Sequence, residues 1–174
     1  MLKILHCVEF YHPHIGGAEK HVQFISEHLA QGKNDVTIVT TKLNRGFKNY
    51  NGCKIKEFDI RGNAIQGYSG SITDYQNFLI NSNFDIILFY AAHQWTFDLA
   101  IEILKDIRAK KIFLPCGFSK INNLLYFPYF KILQKKINIF NKVICLSSTY
   151  QDFKFCKLHF KKKIDVIFNG AFDD

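Results

Sequence analysis

Short, nearly continuous apolar runs alternate along this chain with stretches whose apolar residues recur at helical spacing. Residues 3–10 (KILHCVEF), 36–41 (VTIVTT), 85–90 (DIILFY), 111–115 (KIFLP) and 143–147 (VICLS) are rich in β-branched and aromatic side chains. They lack the strict alternation of a half-exposed strand, which is the pattern of strands buried on both faces of a parallel sheet. Residues 54–59 (KIKEFD) and 164–168 (IDVIF) are weaker strand candidates. Between the runs, Ala18, Val22, Ile25 and Leu29 line one face of a helix, with Glu19, Lys20, Gln23 and Glu27 on the other. Phe97, Ile101, Leu104 and Arg108 frame a second helix, with Ala100 and Ile107 in its apolar stripe. Phe130, Leu133, Ile137 and Phe140 mark a third, which starts afresh after Pro128. Ser71 followed by Asp74 predicts a helix over 72–82. A Gly-, Asn- and Ser-rich stretch at 61–71 reads as a loop.

Strand and helix in repeated alternation predict an α/β fold: a Rossmann-like, doubly wound, mainly parallel sheet with helices on both faces. With 174 residues the chain is sized for a single domain, 1–174. Hydrophobic residues at 48% and charged residues at 22% fit a globular chain and exclude a disordered one. No apolar run approaches the roughly 20 residues that span a bilayer, and the N-terminus lacks the features of a signal peptide. The expected location is therefore cytoplasmic. The five cysteines, Cys7, Cys53, Cys116, Cys145 and Cys156, are scattered and never spaced C-x-x-C, so neither a disulfide framework nor a zinc site is indicated. A net charge of +8 favours anionic partners, whether phosphates, acidic lipid headgroups or nucleic acid, and charge alone does not choose among them.

The candidate chemistry begins with HPHIGGAEKH, residues 12–21, where Gly16 and Gly17 stand before the first helix. In a doubly wound sheet the strand-to-helix loops gather outside the carboxyl ends of the strands, where ligands bind. Glycine there allows positive φ and close approach of a ligand, and amides at a helix N-terminus attract phosphate. The plain alternative is a simple turn. Glu19, too, is favoured in a first helical turn whatever the function. The G-x-G-x-x-G dinucleotide fingerprint is absent, which argues against a nucleotide-binding oxidoreductase.

The stretch PHIGGAEKHVQFISEHLAQGKNDVTIVTT resembles the opening of glycosyltransferase family 4, with its P-x-x-G-G-x-E, amphipathic helix and following strand. FLPCGFS at 113–119 resembles that family's T-x-H-G segment, VICLSS at 143–148 its strand ending in Ser, and IDVIFNGAFD at 164–173 its V-I-P-N-G-V-D. The resemblance implies the N-terminal, acceptor-side half of a retaining GT-B enzyme that transfers a sugar from a nucleotide donor. The acceptor would be a glycan or lipid-linked molecule in cell-surface polysaccharide or glycolipid synthesis. It further implies a C-terminal domain, in the same chain or as a separate subunit, carrying E-x7-E and most nucleotide contacts. No cofactor is expected on this half, which by itself is expected to be silent, because the groups that stabilise a leaving diphosphate lie mostly on the other half.

Carried onto this sequence, the resemblance assigns Gly16 and Gly17 to the donor phosphates, Cys116 and Gly117 to the catalytic position beside the transferred sugar, and Glu19 to acceptor binding in the cleft. Cys116 stands where the family has histidine, and a thiol is a poor substitute in hydrogen bonding and proton transfer. Either the site works differently or that role is unused. Lys33 and Asn34 replace the usual G-H, and Phe168 the usual proline.

His12, His14 and His93 are candidates to meet at the sheet's carboxyl edge, but no spacing supports a metal site, and acceptor hydroxyls are the expected partners of His14 and His93. His93, Gln94 and Trp95 suit a sugar face, with Trp95 as a core residue the alternative. Residues 118–142 mix aromatics with Lys120, Lys131, Lys135, Lys136 and Lys142. They read either as a surface for an anionic membrane, with the protein peripheral on its inner face, or as a core helix with a solvated basic side. KLHFKKK at 157–163 has the same two readings. No nucleic-acid-reading motif is present. The rival functions are a non-catalytic carbohydrate or membrane-surface binding module and one subunit of a split transferase.

Overall fold

The computed structural model describes residues 1–170. Along the chain run β1 (Lys3–Cys7), α1 (Gly17–Gln31), β2 (Asp35–Thr41), β3 (Asn49–Tyr50), β4 (Cys53–Phe58), β5 (Ile60–Asn63), β6 (Gly67–Gly70) and α2 (Ile72–Asn81). Then follow β7 (Ile86–Tyr90), α3 (Trp95–Asp98), β8 (Lys110–Leu114), α4 (Phe127–Lys136), β9 (Lys142–Cys145), α5 (Gln151–His159) and β10 (Ile164–Val166).

Eight strands form one sheet in the order β10-β9-β8-β7-β1-β2-β4-β3, parallel except for β3. The fold is thus α/β and Rossmann-like. The five apolar runs are its central strands, as their lack of alternation requires. From β1 the chain winds outward through β2 and β4, then returns to lay β7 on the other side of β1 and winds away through β8, β9 and β10. The winding reverses between β1 and β7, whose registers end together at Cys7 and Phe89. At such a reversal neighbouring loops leave in opposite directions and open a crevice at the carboxyl edge.

The two sheet faces are covered unequally. One carries α2, the 95–107 segment, α4 and α5, which enclose Leu5, Cys7, Ile87, Phe89, Phe113 and Val143. Phe97, Phe113 and Phe140 stack there, with ring centroids 4.4 Å apart for the first two and 5.2 Å for the last two. Each such pair is worth about 0.5–1.5 kcal/mol beyond the area it buries. The other face carries α1, over Val36, Ile38, Leu88 and Tyr90. A hollow of about 360 Å³ runs between α1 and β7–β9, lined by Ile25, Leu29, Ile86, Ile112 and Ile144 among others.

Several expectations are corrected. The helix expected through Arg108 is regular only over Trp95–Asp98 and continues as turns that mix bonds from three and four residues back, such as Ala100 and Ile101 both donating to Phe97 O. Residues 95–101 are all buried, so packing on every side sets the path there, whereas Glu102, Lys105, Asp106 and Arg108 face solvent. The 61–71 loop is instead the hairpin β5–β6, with Ile60 opposite Gly70 and Asn63 opposite Gly67. Gly62 and Gly70 serve its close backbone approach, since a Cβ would meet Gly67 O at 2.0 Å and Asp59 O at 1.9 Å. Helix α5 includes the first three residues of the 157–163 run, in keeping with its helical reading, but its start at Gln151 was not expected. On α1 the most buried positions are Glu19, Val22 and Ser26, so the helix is rotated slightly from its apolar stripe. Ser26 turns inward because it meets the buried imidazole of His6, 2.7 Å away, and donates to Val22 O. Pro128 lies within the first turn of α4, where it is tolerated. Part of the expected 164–173 motif, residues 171–173, lies outside the described residues.

Candidate functional site at the carboxyl edge

Loops after β1, β7 and β8 meet at the crevice. The loop after β1 is stitched to its neighbours through the backbone. Glu9 N–H donates to Gln94 Oε1 at 2.9 Å, while Thr40 Oγ1 and Thr41 N–H donate to Glu9 O. Arg45, its side chain fully buried, donates to Tyr11 O and His12 O and pairs with Glu57, pinning the 8–16 loop from beneath.

Gly16 is extended (φ −161°) and precedes α1, and Gly17 begins it, so neither glycine has the positive φ that motivated the sequence argument. Gly16 is needed for room. A Cβ there would lie 2.2 Å from Glu19 Oε2, because the Glu19 side chain folds back over it. At Gly17 a Cβ would meet nothing within 4 Å, leaving that side of the helix start open. Glu19 is nearly buried, and its other oxygen lies 3.6 Å from His14 Nδ1. The positive end of α1 therefore already holds a carboxylate, and a phosphate arriving there would have to displace or share with it. His14 stacks on Phe10 with centroids 4.7 Å apart.

Backbone strain concentrates in the other two loops. Ala91 and His93 after β7 have φ of 62°, and Cys116 after β8 has φ of 55°, all in the left-handed region that non-glycine residues rarely enter. Such conformations cluster where a site must be held. His93 sits among Tyr126, Tyr129, Phe130 and Phe118, with the Tyr129 ring centroid 4.6 Å away. Both of its ring nitrogens are buried without a protein partner. Burial first, and the charge of Lys120 second, press its pKa down to about 4, so the imidazole is neutral near pH 7. A neutral imidazole keeps one donor and one acceptor for a ligand.

Beneath His93 lies a carboxylate cluster that sequence reasoning missed. Asp98 accepts from Tyr129 Oη at 2.7 Å and Tyr68 Oη at 2.5 Å, and Tyr129 Oη also accepts from His93 N–H. Burial raises the Asp98 pKa to about 6 in spite of those hydrogen bonds. Glu9 is half-buried, and burial, then the charges of Asp98 and Glu19, push it up to about 7. The charge of Asp98 thus disfavours ionisation of Glu9. The clue for Asp98 was an acid inside an apolar run. For Glu9 it was an acid just past the end of the first strand. Tyr68 had no sequence signal, because it arrives on the unpredicted hairpin.

Cys116 Sγ lies 3.6 Å from Tyr90 Oη, which is 2.7 Å from His21 Nδ1. Burial raises the thiol pKa, with Asp152 and Glu19 as further causes, so it is a neutral, weak hydrogen-bonding group here. Gly117 has φ of 90°, and its N–H donates to Asp152 Oδ2 at 3.0 Å. That amide is committed within the fold, while the second oxygen of the fully buried Asp152 has no partner.

Of the residues singled out from sequence, Gly16, Gly17, Glu19, Gln94, His93, Cys116 and Gly117 all lie on these three loops or at the start of α1. Trp95 is the correction. It is 1% exposed, packed edge-on against Tyr75 at 4.9 Å, with its indole N–H donating to Thr41 Oγ1. It belongs to the core and offers no face to a sugar. His12 stacks on Tyr50 at 4.0 Å, away from the His93 cage, so the three histidines do not converge. Among the described residues no three His, Cys, Asp or Glu side chains are grouped to hold a metal ion. No family model matches this chain, and no curated protein matches it.

Proposed function

We propose that this chain is the acceptor-side domain of a retaining, nucleotide-sugar-dependent glycosyltransferase. The observation that carries the reading is the meeting of the Gly16–Glu19 turn, the His93 loop and the Cys116–Gly117 loop at one crevice. The motifs quoted for the family resemblance supply the first and third of these. Glu9, Asp98 and neutral His93 provide the paired acceptors and donors that sugar hydroxyls need, in a setting shielded enough to make each bond count. In this reading Gly17 leaves open the side of α1 that a donor phosphate approaches when a second domain closes over the crevice. Cys116, unable to shuttle protons, lines the sugar without taking part in chemistry. The donor diphosphate is then stabilised by the partner domain.

A second reading, a non-catalytic carbohydrate-binding module, draws on two observations: Cys116 in place of histidine, and Glu19 already seated at the helix terminus. One experiment separates them. The polypeptide as its source makes it is given a panel of nucleoside-diphosphate sugars and a glycolipid extract of the same cells, and labelled sugar transfer is measured. Transfer that disappears in Gly17→Val with the melting temperature kept supports the transferase reading. Unchanged transfer in that variant removes the glycine turn from the mechanism. Oligosaccharide binding without transfer from any donor favours the module.

A further inference from the structure

We infer that the segment from Lys120 to Lys135 is a docking surface for an anionic lipid bilayer. A short 3₁₀ turn, Leu124–Tyr126, leads directly into α4, and Asn123 caps it by accepting from Leu125 N–H. Three large apolar side chains project outward there: Leu124 is 88% exposed, Leu125 67% and Phe127 59%. Ile132, one turn further along α4, is 48% exposed. None of the four is needed by the core. The inward stripe of the same segment is complete without them, with Phe130, Leu133 and Ile137 buried in the main cluster and Tyr126 and Tyr129 packed against it. The core-helix reading of this stretch therefore accounts for one side of it and leaves the other unexplained. Isolated exposed leucines are ordinary, whereas adjacent ones at the tip of a turn mark a contact surface.

The charge around the tip selects the partner. Lys120, Lys131 and Lys135 are exposed on the same segment, and Lys131 Nζ lies 5.2 Å from the centre of the Phe127 ring. Between Asp106 and Asp152 the chain contains no acidic residue. An apolar tip flanked by Lys120, Lys131 and Lys135, on a stretch of chain without acidic residues, matches an interface whose headgroups are anionic and whose interior accepts leucine and phenylalanine. No helix of the described residues is long and apolar enough to cross a membrane, so the surface is one that lies on the bilayer. The inner side of this segment forms the wall of the candidate site, through Tyr129 on His93 and Asp98. Docking would bring that site to the headgroup layer, where a lipid-linked molecule presents its polar part. The surface itself is independent of whether sugar transfer occurs.

The test is co-sedimentation of the chain with phosphatidylcholine vesicles, with and without phosphatidylglycerol, at low and high salt. The expected result is binding to the anionic vesicles that weakens with salt. Binding should fall ~10-fold or more in Leu124→Ser/Leu125→Ser and roughly fivefold per lysine in Lys131→Gln and Lys135→Gln. Leu125→Trp gives a second readout that does not depend on affinity: its emission should shift to the blue on anionic vesicles and be quenched by lipids brominated in their acyl chains. No binding to anionic vesicles, equal binding by the double serine variant, or Leu125→Trp emission quenched no more than that of the parent with its buried Trp95 overturns the proposal. So does retention on homopolymeric RNA with none on vesicles. No sugar is present, so failure here leaves the transferase reading untouched.

Discussion

The loop after β1 and the loops after β7 and β8 face the same crevice but are built in opposite ways. The first carries the conspicuous glycine pair and is unstrained, with Gly16 extended and Gly17 in the first turn of α1. The others hold Ala91, His93 and Cys116 at positive φ without advertising it in the sequence. A glycine pair need not mark unusual backbone: here Gly16 provides space for the Glu19 carboxylate. Backbone strain sits instead on the β7 side, where Tyr68, Tyr129, Asp98 and His93 are locked together, whereas displaced pKa values are found on both sides, at Asp98 and at Glu9. The β7 and β8 loops are therefore the strained half of the crevice and the β1 loop the unstrained half.

The largest effect expected from this contrast is at Asp98. Replacing it by Ala leaves the buried hydroxyls of Tyr129 and Tyr68 without their acceptor, which should destabilise the fold by about 2–5 kcal/mol in urea unfolding at neutral pH. A loss under about 1 kcal/mol would mean that the cluster holds nothing in place. Next comes a matched pair of glycines. Gly117→Ala places a Cβ on a residue with φ of 90° and should cost about 1–2 kcal/mol. Gly17→Ala, in open space at the start of a helix, should stabilise by about 0.4–1 kcal/mol. Equal signs at the two sites would erase the distinction between a strained and an unstrained half.

The smallest effect is a pH dependence at Glu9. Its native pKa, about 7, is raised above the ordinary value of 4.5, so the native state binds its proton first and the ionised form is the destabilising one. Stability from this group is present below about pH 4.5 and is lost as pH rises through about 7. Glu9→Gln should therefore be more stable than the parent at pH 8 by about 1 kcal/mol, a figure already reduced for the solvent that reaches this half-buried side chain. The advantage should shrink steadily on acidification. Buried His6 and His93, both pressed down to about 4, act in the opposite sense below pH 6.5, so the difference between the two proteins is the quantity to follow. A difference that does not vary with pH would place Glu9 in ordinary solvent.

The strands were legible because burial on both faces demands unbroken apolar runs, and α2 because Ser71 stands at its N-terminus. Helix α1 was legible from its repeat, although its rotation was not, since Ser26 faces inward for the sake of His6, which is distant in sequence. Turn and hairpin structure was largely hidden. β5 and β6 exist because Ile60 pairs with Gly70, a contact that local propensity for a Gly-rich loop opposes. The glycine turn, His93 and Cys116 were found as candidates from motif and position. Their partners Glu9, Asp98, Tyr68 and Tyr129 were not, because no spacing relates residues that meet only when β7 docks beside β1 and the hairpin folds over.

By itself, then, the sequence determined the class of fold, the central strands and the first strand-to-helix turn, all of which follow from periodicity and local backbone chemistry. The tertiary structure alone decided that Trp95 is core, that Glu19 occupies the space over Gly16, that an acid cluster underlies His93, and that Leu124, Leu125 and Phe127 face outward. The division has a physical cause. Secondary structure is a local response to the alternation of apolar and polar residues, whereas a side chain's exposure and ionisation depend on which distant segments pack against it.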